Sequence, residues 1–230
     1  MHHVAGSEIL RRCGHVANAV DIGSGTGLSA RALLGGADVV VGVDPSVEML
    51  SVAFRHASIR YVAGAAEQLP LASGLFDLAT ISSAFHWCDR QAMFSELERV
   101  VRRGGGVAIY DVELAGLAEA PALMDWLRGD YWTSLPRCHH NGAFDVRLHV
   151  RRPFTIIAST TLHVEVAMTH DELVSFVLSQ ASSINAVTAG ASSIDGLEGR
   201  LREGLGQHLG HDVTSTARFD VPFALLRKVA

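Results

Sequence analysis

The sequence predicts an α/β fold built on a doubly wound parallel sheet, and a few observations carry that reading. The first half alternates short β-rich runs with helical patterns of roughly ten residues, the rhythm of strands joined by crossover helices. "DVVVGV" at 38–43 is a continuous apolar run, suited to a strand buried on both faces. At 20–34, "VDIGSGTGLSARALL", an apolar run ends in Asp21-Ile22, glycines follow at every second position, and a helical pattern begins.

Taken in order, Val16–Ile22 reads as the first strand and Gly27–Leu34 as a helix. Asp38–Val43 is the second strand. Asp44-Pro45-Ser46 then turns the chain into a helix reaching Arg55, with Ser46 as N-cap and Met49 and Leu50 facing inward. "IRYVAG" and "FDLATIS" are the third and fourth strands. Asp89 caps a helix with Met93, Phe94, Leu97, Val100 and Val101 on one face, and Arg102-Arg103-Gly104 end it as cations and a C-terminal glycine do. "GVAIYD" is the fifth strand.

After Asp111 the rhythm changes. Ala120–Arg128 reads as a helix with Pro121 in its first turn. Tyr131–Asp145 reads as a loop or broken helix rich in aromatics and histidine, and "FTIIASTTLHVEVAMT" as a strand. Thr169 and Glu172 form a capping-box pair. Ser193–Leu209 carries Leu197, Leu201, Leu205 and Leu209 on a helical period, which its glycines weaken. "ARFDVPFALLRKV" is the final strand.

Composition narrows the class. The chain has 230 residues, 48% hydrophobic and 19% charged, enough to bury a sizeable core in one domain. Its formal charge is −5 and it has no basic stripe, which argues against a nucleic-acid partner. No apolar run approaches the length of a membrane span and no signal-peptide pattern opens the chain, so the expected location is cytoplasmic. The 3 cysteines are widely spaced, which fits neither a disulfide framework nor a zinc site. Cys88 reads as inert and Asp77 as a structural residue at a strand start. His139 and His140 read as a solvated loop, so no metal is expected.

A strand, a glycine turn and a helix N-terminus together make a site for a polar small molecule. Backbone N–H groups point outward there, and glycine lets a ligand approach without a Cβ in the way. Leu28 stands where the dinucleotide fingerprint wants its third glycine, and no lysine follows as in a P-loop. Asp44 closes the second strand, where a carboxylate can accept both hydroxyls of a ribose.

"DIGSGTG" and "VGVDPSVEML" resemble the first two motifs of class I S-adenosylmethionine-dependent methyltransferases. "YVAGAAEQLPLASGLFDLATISSAFHWCD" is similar to the third and fourth, and its "FHW-x-D" ending to the small-molecule subgroup that includes trans-aconitate methyltransferases. The good match covers 16–111. The resemblance implies a Rossmann-like seven-stranded sheet of order 3-2-1-4-5-7-6, with the last hairpin strand antiparallel and a lid at 113–152. It places the cofactor S-adenosyl-L-methionine on Asp21, Gly23, Ser24, Gly25, Gly27, Asp44, Pro45, Met49, Ala65, Ala66, Glu67 and Ser82. Asp21 stands near the methionine amino group, Asp44 holds the ribose hydroxyls, and Met49 packs beside the adenine. Ala65 departs from the acid or serine common after the third-motif glycine. The segment before the first strand is also shorter than the family's usual cover, as in a shortened cap or a start internal to a longer chain.

The expected reaction is methyl transfer to a small-molecule acceptor, a carboxylic acid or natural product, by a monomer or homodimer. A carboxylate acceptor needs no base. A phenol, alcohol or amine benefits from one, and His86 is the candidate. Three rivals remain: a nicotinamide-dependent oxidoreductase, which Leu28 disfavours; a non-catalytic binding protein of the same fold; and an RNA methyltransferase, disfavoured by charge and by the lack of an N/D-P-P-Y/F motif.

Overall fold

The computed structural model describes residues 1–136, 144–209 and 214–229. The described residues of Met1–Val112, His140–Leu162 and Val221–Ala230 form one compact unit, and those of Glu113–His139 and His163–Asp220 a second. His139, His140 and Cys138 lie outside the described residues, as does much of the expected Tyr131–Asp145 loop.

The first unit opens on α1 (His2–Cys13), which buries Ala5, Gly6 and Ile9. Five parallel strands follow: β1 (Val16–Ile22), β2 (Ala37–Asp44), β3 (Ile59–Ala63), β4 (Phe76–Ser82) and β5 (Val101–Tyr110). Their registers align the C-terminal ends, with Asp21 opposite Gly42 and Thr80, Asp44 opposite Ala63, and Ser82 opposite Tyr110. The first helix after β1 is shorter than the sequence suggests. α2 spans Leu28–Ala32, because Gly27 at φ 83 is its N-cap rather than its first turn. α3 (Val47–Ser51) also stops early, though Ser46 caps it as expected through Met49 N–H.

α4 (Arg90–Val100) begins where Asp89 accepts the N–H groups of Gln91 and Ala92 at 2.9 and 3.0 Å. Met93, Phe94, Leu97 and Val100 are buried in one apolar cluster with Val20, Ile81, Phe85 and Val107. The end of this helix corrects the sequence reading. Val101, Arg102, Arg103 and Gly104 belong to β5. The carbonyls of Glu98 and Val101 accept from Lys228 Nζ at 2.5 and 2.9 Å, so a distant lysine satisfies the helix end and the chain passes directly into strand. Asp77, at the start of β4, accepts Asn18 N–H at 2.8 Å and pairs with Arg102.

Among the described residues the sheet has eight strands, not seven, in the order β3-β2-β1-β4-β5-β8-β6, with β7 (Phe154–Met168) pairing β8 (Ser215–Lys228) off that path. The strand the sequence hid is β6 (Glu113–Leu117), "ELAGL". It is short, carries Gly116, and shifts register between Leu114 and Gly116, so it shows no period-2 pattern. β8 lies antiparallel beside β5, as expected of the last strand, and its N-terminal part pairs antiparallel with β6.

In the second unit, α5 (Pro121–Trp126) runs into a single π-turn at Leu127–Tyr131 and a 3-10 turn at Trp132–Ser134. α6 (His170–Leu178) starts on the Thr169–Glu172 capping box, and α7 (Ala181–Thr188) follows. α8 (Ile194–Leu209) is a continuous helix despite its glycines, with Leu197, Leu201 and Leu205 buried. Packing overrides propensity here. Gly204 is required, because a Cβ there would overlap the Trp126 ring, whereas Gly199 faces open space.

These two glycines should respond oppositely to the same change. We expect Gly199→Ala to raise stability by about 0.5–1 kcal/mol, as in any exposed helix interior. Gly204→Ala should lower it by about 1–3 kcal/mol through overpacking against Trp126. Urea denaturation of both variants checks this, and a loss at Gly199 equal to that at Gly204 would contradict it.

Candidate functional site

The glycine loop sits between β1 and α2, at the C-terminal edge of the parallel strands. Its glycines have different reasons to be glycine. Gly23 takes φ 69, its N–H donates to Val43 O at 2.8 Å, and a Cβ would overlap the Ala84 methyl. Gly27 takes φ 83, and a Cβ would overlap the Tyr61 hydroxyl. Gly25 takes φ 50, but the only atom near its missing Cβ among the described residues is the terminal methyl of Met49, at 3.4 Å. Beside it, Ser24 Oγ is buried and has no hydrogen-bond partner among the described residues.

Asp44 ties the loop to the next turn. Its Oδ2 accepts Gly25 N–H at 2.8 Å and its Oδ1 accepts Ser46 N–H at 2.9 Å. Each carboxylate oxygen has two acceptor directions, so both bonds leave acceptor capacity on a residue that is 8% exposed. Pro45 is exposed, as the row of surface residues 45–49 requires. Met49 does not face inward: it is 39% exposed and lays its methyl toward Gly25, while Leu50 alone enters the core.

Ala65 forms an isolated bridge with Gln68, and Ala66 beside it is buried. Glu67 accepts Asp89 N–H at 2.8 Å, which ties this segment to the start of α4. Ser82 is buried at the end of β4, and its hydroxyl lies 3.2 Å from His2 Nδ1, which is also 3.2 Å from the Tyr110 hydroxyl. Burial pushes His2 down to about 4, so this imidazole is neutral at physiological pH.

The segment after β4 reaches the loop at Ala84, the residue that fits against Gly23. Phe85 is buried, and His86 follows with 19% of its side chain exposed. His86 Nδ1 lies 3.4 Å from Asp111 Oδ2. Asp111, just past β5, is the functional candidate that sequence reasoning missed; its position at the end of a central strand, level with the "FHW" segment, was the available signal. Burial pushes its carboxyl up, but hydrogen bonds from His86, Val112 N–H and Ser83 together outweigh that and hold it below the usual carboxylate range. Burial pushes the Cys88 thiol up to about 12, which disfavours the thiolate form.

A cavity of about 240 Å³ lies in the same unit, lined by Phe144, Val146, Arg147, Thr161, Pro222 and Phe223 among others. Its wall adjoins the His86 corner twice. Phe144 meets Phe85 edge-on at 6.0 Å between ring centroids, and Pro222 O accepts Asp111 N–H at 3.1 Å.

Asp21 is fully buried below the loop, accepting from Ser29 Oγ and Thr80 Oγ1, each at 2.6 Å. Burial raises its carboxyl from 3.8 to about 6, against these bonds and one from Ala30 N–H. The folded chain therefore binds this proton more tightly than the unfolded one. The stability the group contributes is present below the unfolded value and lost as pH rises through about 6. We expect the stability of the wild type relative to Asp21→Asn to fall between about pH 4 and 6.5, bracketing the carboxyl titration. Urea melts across that range measure it; a difference that rises with pH would reverse the assignment.

The comparisons with known proteins fit this geometry. The chain is 41% identical over 93 residues to an uncharacterized methyltransferase of Mycobacterium bovis, covering 39% of this chain and 37% of the relative. It is 41% identical over 91 residues to a demethylmenaquinone methyltransferase of Corynebacterium kroppenstedtii, covering 39% of each. It is 36% identical over 111 residues to a malonyl-[acyl-carrier protein] O-methyltransferase of Pectobacterium atrosepticum, covering 46% of this chain and 44% of the relative. The aligned stretch thus spans well under half the length of these curated relatives. Among solved structures, a candidate type II methyltransferase of Anaeromyxobacter dehalogenans matches with a TM-score of 0.75 at 18% identity, covering 99% of this chain and 96% of that one. The YcgJ protein of Bacillus subtilis matches with a TM-score of 0.58 at 19% identity, covering 100% of both chains. At such identities these likenesses establish the fold. Residues 20–109, which carry the glycine loop, Asp44 and His86, match the family model of the methyltransferase domain.

Proposed function

We propose that the chain transfers a methyl group from S-adenosyl-L-methionine to a small-molecule acceptor. The observation that carries this is Gly25. Its neighbours Gly23 and Gly27 are filled by Ala84 and Tyr61, but the space at Gly25 is left open beneath an exposed Met49. An open left-handed glycine beside an unpartnered buried hydroxyl and a half-used carboxylate fits a polar ligand that crosses the backbone.

In this reading Gly25 and Ser24 bind the ligand through the loop, Asp44 accepts from the ribose hydroxyls, and Met49 packs on the adenine. Ala65, Ala66 and Glu67 border the adenine edge, Pro45 shapes the turn beside it, and Ser82 and Asp21 stand at the methionine end. The bound cofactor supplies a methyl group already activated by positive sulfur. The residues of this chain align the acceptor and exclude water. His86 would accept a proton from an acceptor that carries one. The cavity beside Phe85 and Asp111 is the proposed acceptor pocket, and 113–152 is proposed as a lid insertion. The formal charge of −5 supports a small molecule over a nucleic-acid acceptor. The likeness of "FHWCD" to the trans-aconitate-like subgroup is read as one of segment and not of acceptor, and a cytoplasmic monomer or homodimer completes the reading. Among the described residues, no helix is long and apolar enough to cross a membrane.

Calorimetry with S-adenosylhomocysteine tests the cofactor reading. Asp44→Ala removes charge-assisted bonds worth about 1.5–3 kcal/mol. It should therefore weaken binding by about ten- to a hundredfold. Gly25→Val should abolish binding while the circular-dichroism spectrum stays near wild type. Unchanged affinity in a folded Gly25→Val variant would remove the ligand from this loop.

A further inference from the structure

We propose that Asp111 is a positioning residue that holds His86 as the proton acceptor for an acceptor hydroxyl, and that the conformation of Ser83 aims the segment carrying His86. The inference rests on the methyl-transfer reading above.

The geometry comes first. His86 Nδ1 faces Asp111 Oδ2 at 3.4 Å, so the ring proton belongs on Nδ1 and the Nε2 lone pair is the basic one. The other oxygen, Asp111 Oδ1, accepts Val112 N–H at 2.9 Å. The carboxylate is thus held between that N–H and the imidazole.

Ser83 supplies a second, independent observation. It takes φ 50, the sole non-glycine left-handed residue among those described. That conformation is unfavourable for a residue with a Cβ. It is held by Ser83 N–H donating to Tyr110 O at 3.0 Å. The strained residue immediately precedes Ala84-Phe85-His86, so its conformation aims the segment that carries the base. Local strain of this kind gathers at functional sites.

The chemistry selects the acceptor class. A carboxylate acceptor is already anionic and gains nothing from a base backed by a second carboxylate. A neutral phenol or alcohol does. The acceptor oxygen forms the new O–C bond as the C–S bond to the cofactor's sulfur breaks, and the bonding pair stays on sulfur and cancels its charge. The hydroxyl proton passes to His86, and the resulting imidazolium is paired with Asp111. The charged side chains lining the proposed acceptor pocket agree, since Arg147 and Asp145 neutralise each other at 2.9 Å.

Other titratable groups share this corner. His2 of α1 is neutral above about 4, and burial holds the Tyr110 phenol above its ordinary value. Neither changes charge between about pH 5.5 and 9.

The test uses histidine-ring NMR on the full chain without ligand, then kinetics. Wild-type His86 should show the Nδ1–H tautomer. Asp111→Asn keeps an oxygen for Val112 N–H and should move the ring toward the Nε2–H tautomer. With a phenol or alcohol from a labelled-methyl screen, Asp111→Asn should cut kcat by about ten- to a hundredfold. Asp111→Glu should restore part of both. S-adenosylhomocysteine affinity should stay at the wild-type value, which separates this test from the cofactor reading, where binding itself is lost. An Nε2–H tautomer in the wild type, an unmoved tautomer or kcat in Asp111→Asn, or a screen yielding carboxylate acceptors alone or none would each overturn the proposal.

Discussion

The carboxylate of Asp44 is the constraint on which the site depends. One oxygen takes Gly25 N–H and the other Ser46 N–H, so a single buried side chain closes the glycine loop after β1 and opens α3 after β2. The strand registers make this possible: Asp21 of β1 lies level with Gly42, which brings the end of β2 beside the loop that follows β1. Without that anion, Gly25 at φ 50 would lose the partner that holds its backbone in a left-handed turn. The residue proposed to bind a ribose is therefore also the residue that builds the surface beside it.

The same economy appears at the ends of β4 and β5. Ser82 lies opposite Tyr110, and the next residue, Ser83, donates its N–H to Tyr110 O. Loops at the carboxyl ends of parallel strands are brought together by the sheet rather than by their own sequence. Ala84 meets the glycine loop on one side, and Phe85 meets Phe144 beside the cavity on the other. The glycine loop and the cavity are thus joined by one short segment, Ala84-Phe85.

Local rules written into the chain were readable where one residue acts on its neighbours. Ser46 and Asp89 cap helices through N–H groups two or three residues on, and Thr169 with Glu172 does the same reciprocally. β1 and β4 were legible to the residue because their apolar runs are buried on both faces. What escaped depended on partners far along the chain. Lys228 ends α4 from 127 residues beyond Val101, so the glycine at 104 was misread as a helix stop. Trp126 explains Gly204, and only the fold brings that ring to α8. At the candidate site, glycine spacing marked the loop, but which glycine faces open space was set by Ala84, Tyr61 and Met49. Asp111 was invisible as His86's partner because the two come from different loops, joined only through the β4–β5 register.

Tyr61 carries a consequence of its own. Its hydroxyl donates to Phe54 O at 2.9 Å, and its ring lies where a side chain at either Gly27 or Gly42 would have to go. One aromatic ring thus occupies the volume that two glycines leave vacant, on two different strands' ends. The three positions form a coupled unit whose substitutions cannot add independently. A smaller residue at 61 would open a void beneath the loop, while any larger residue at 27 or 42 would collide with the tyrosine. Mutational history should therefore register here as correlated change: lineages that keep the tyrosine are held to glycine at both places.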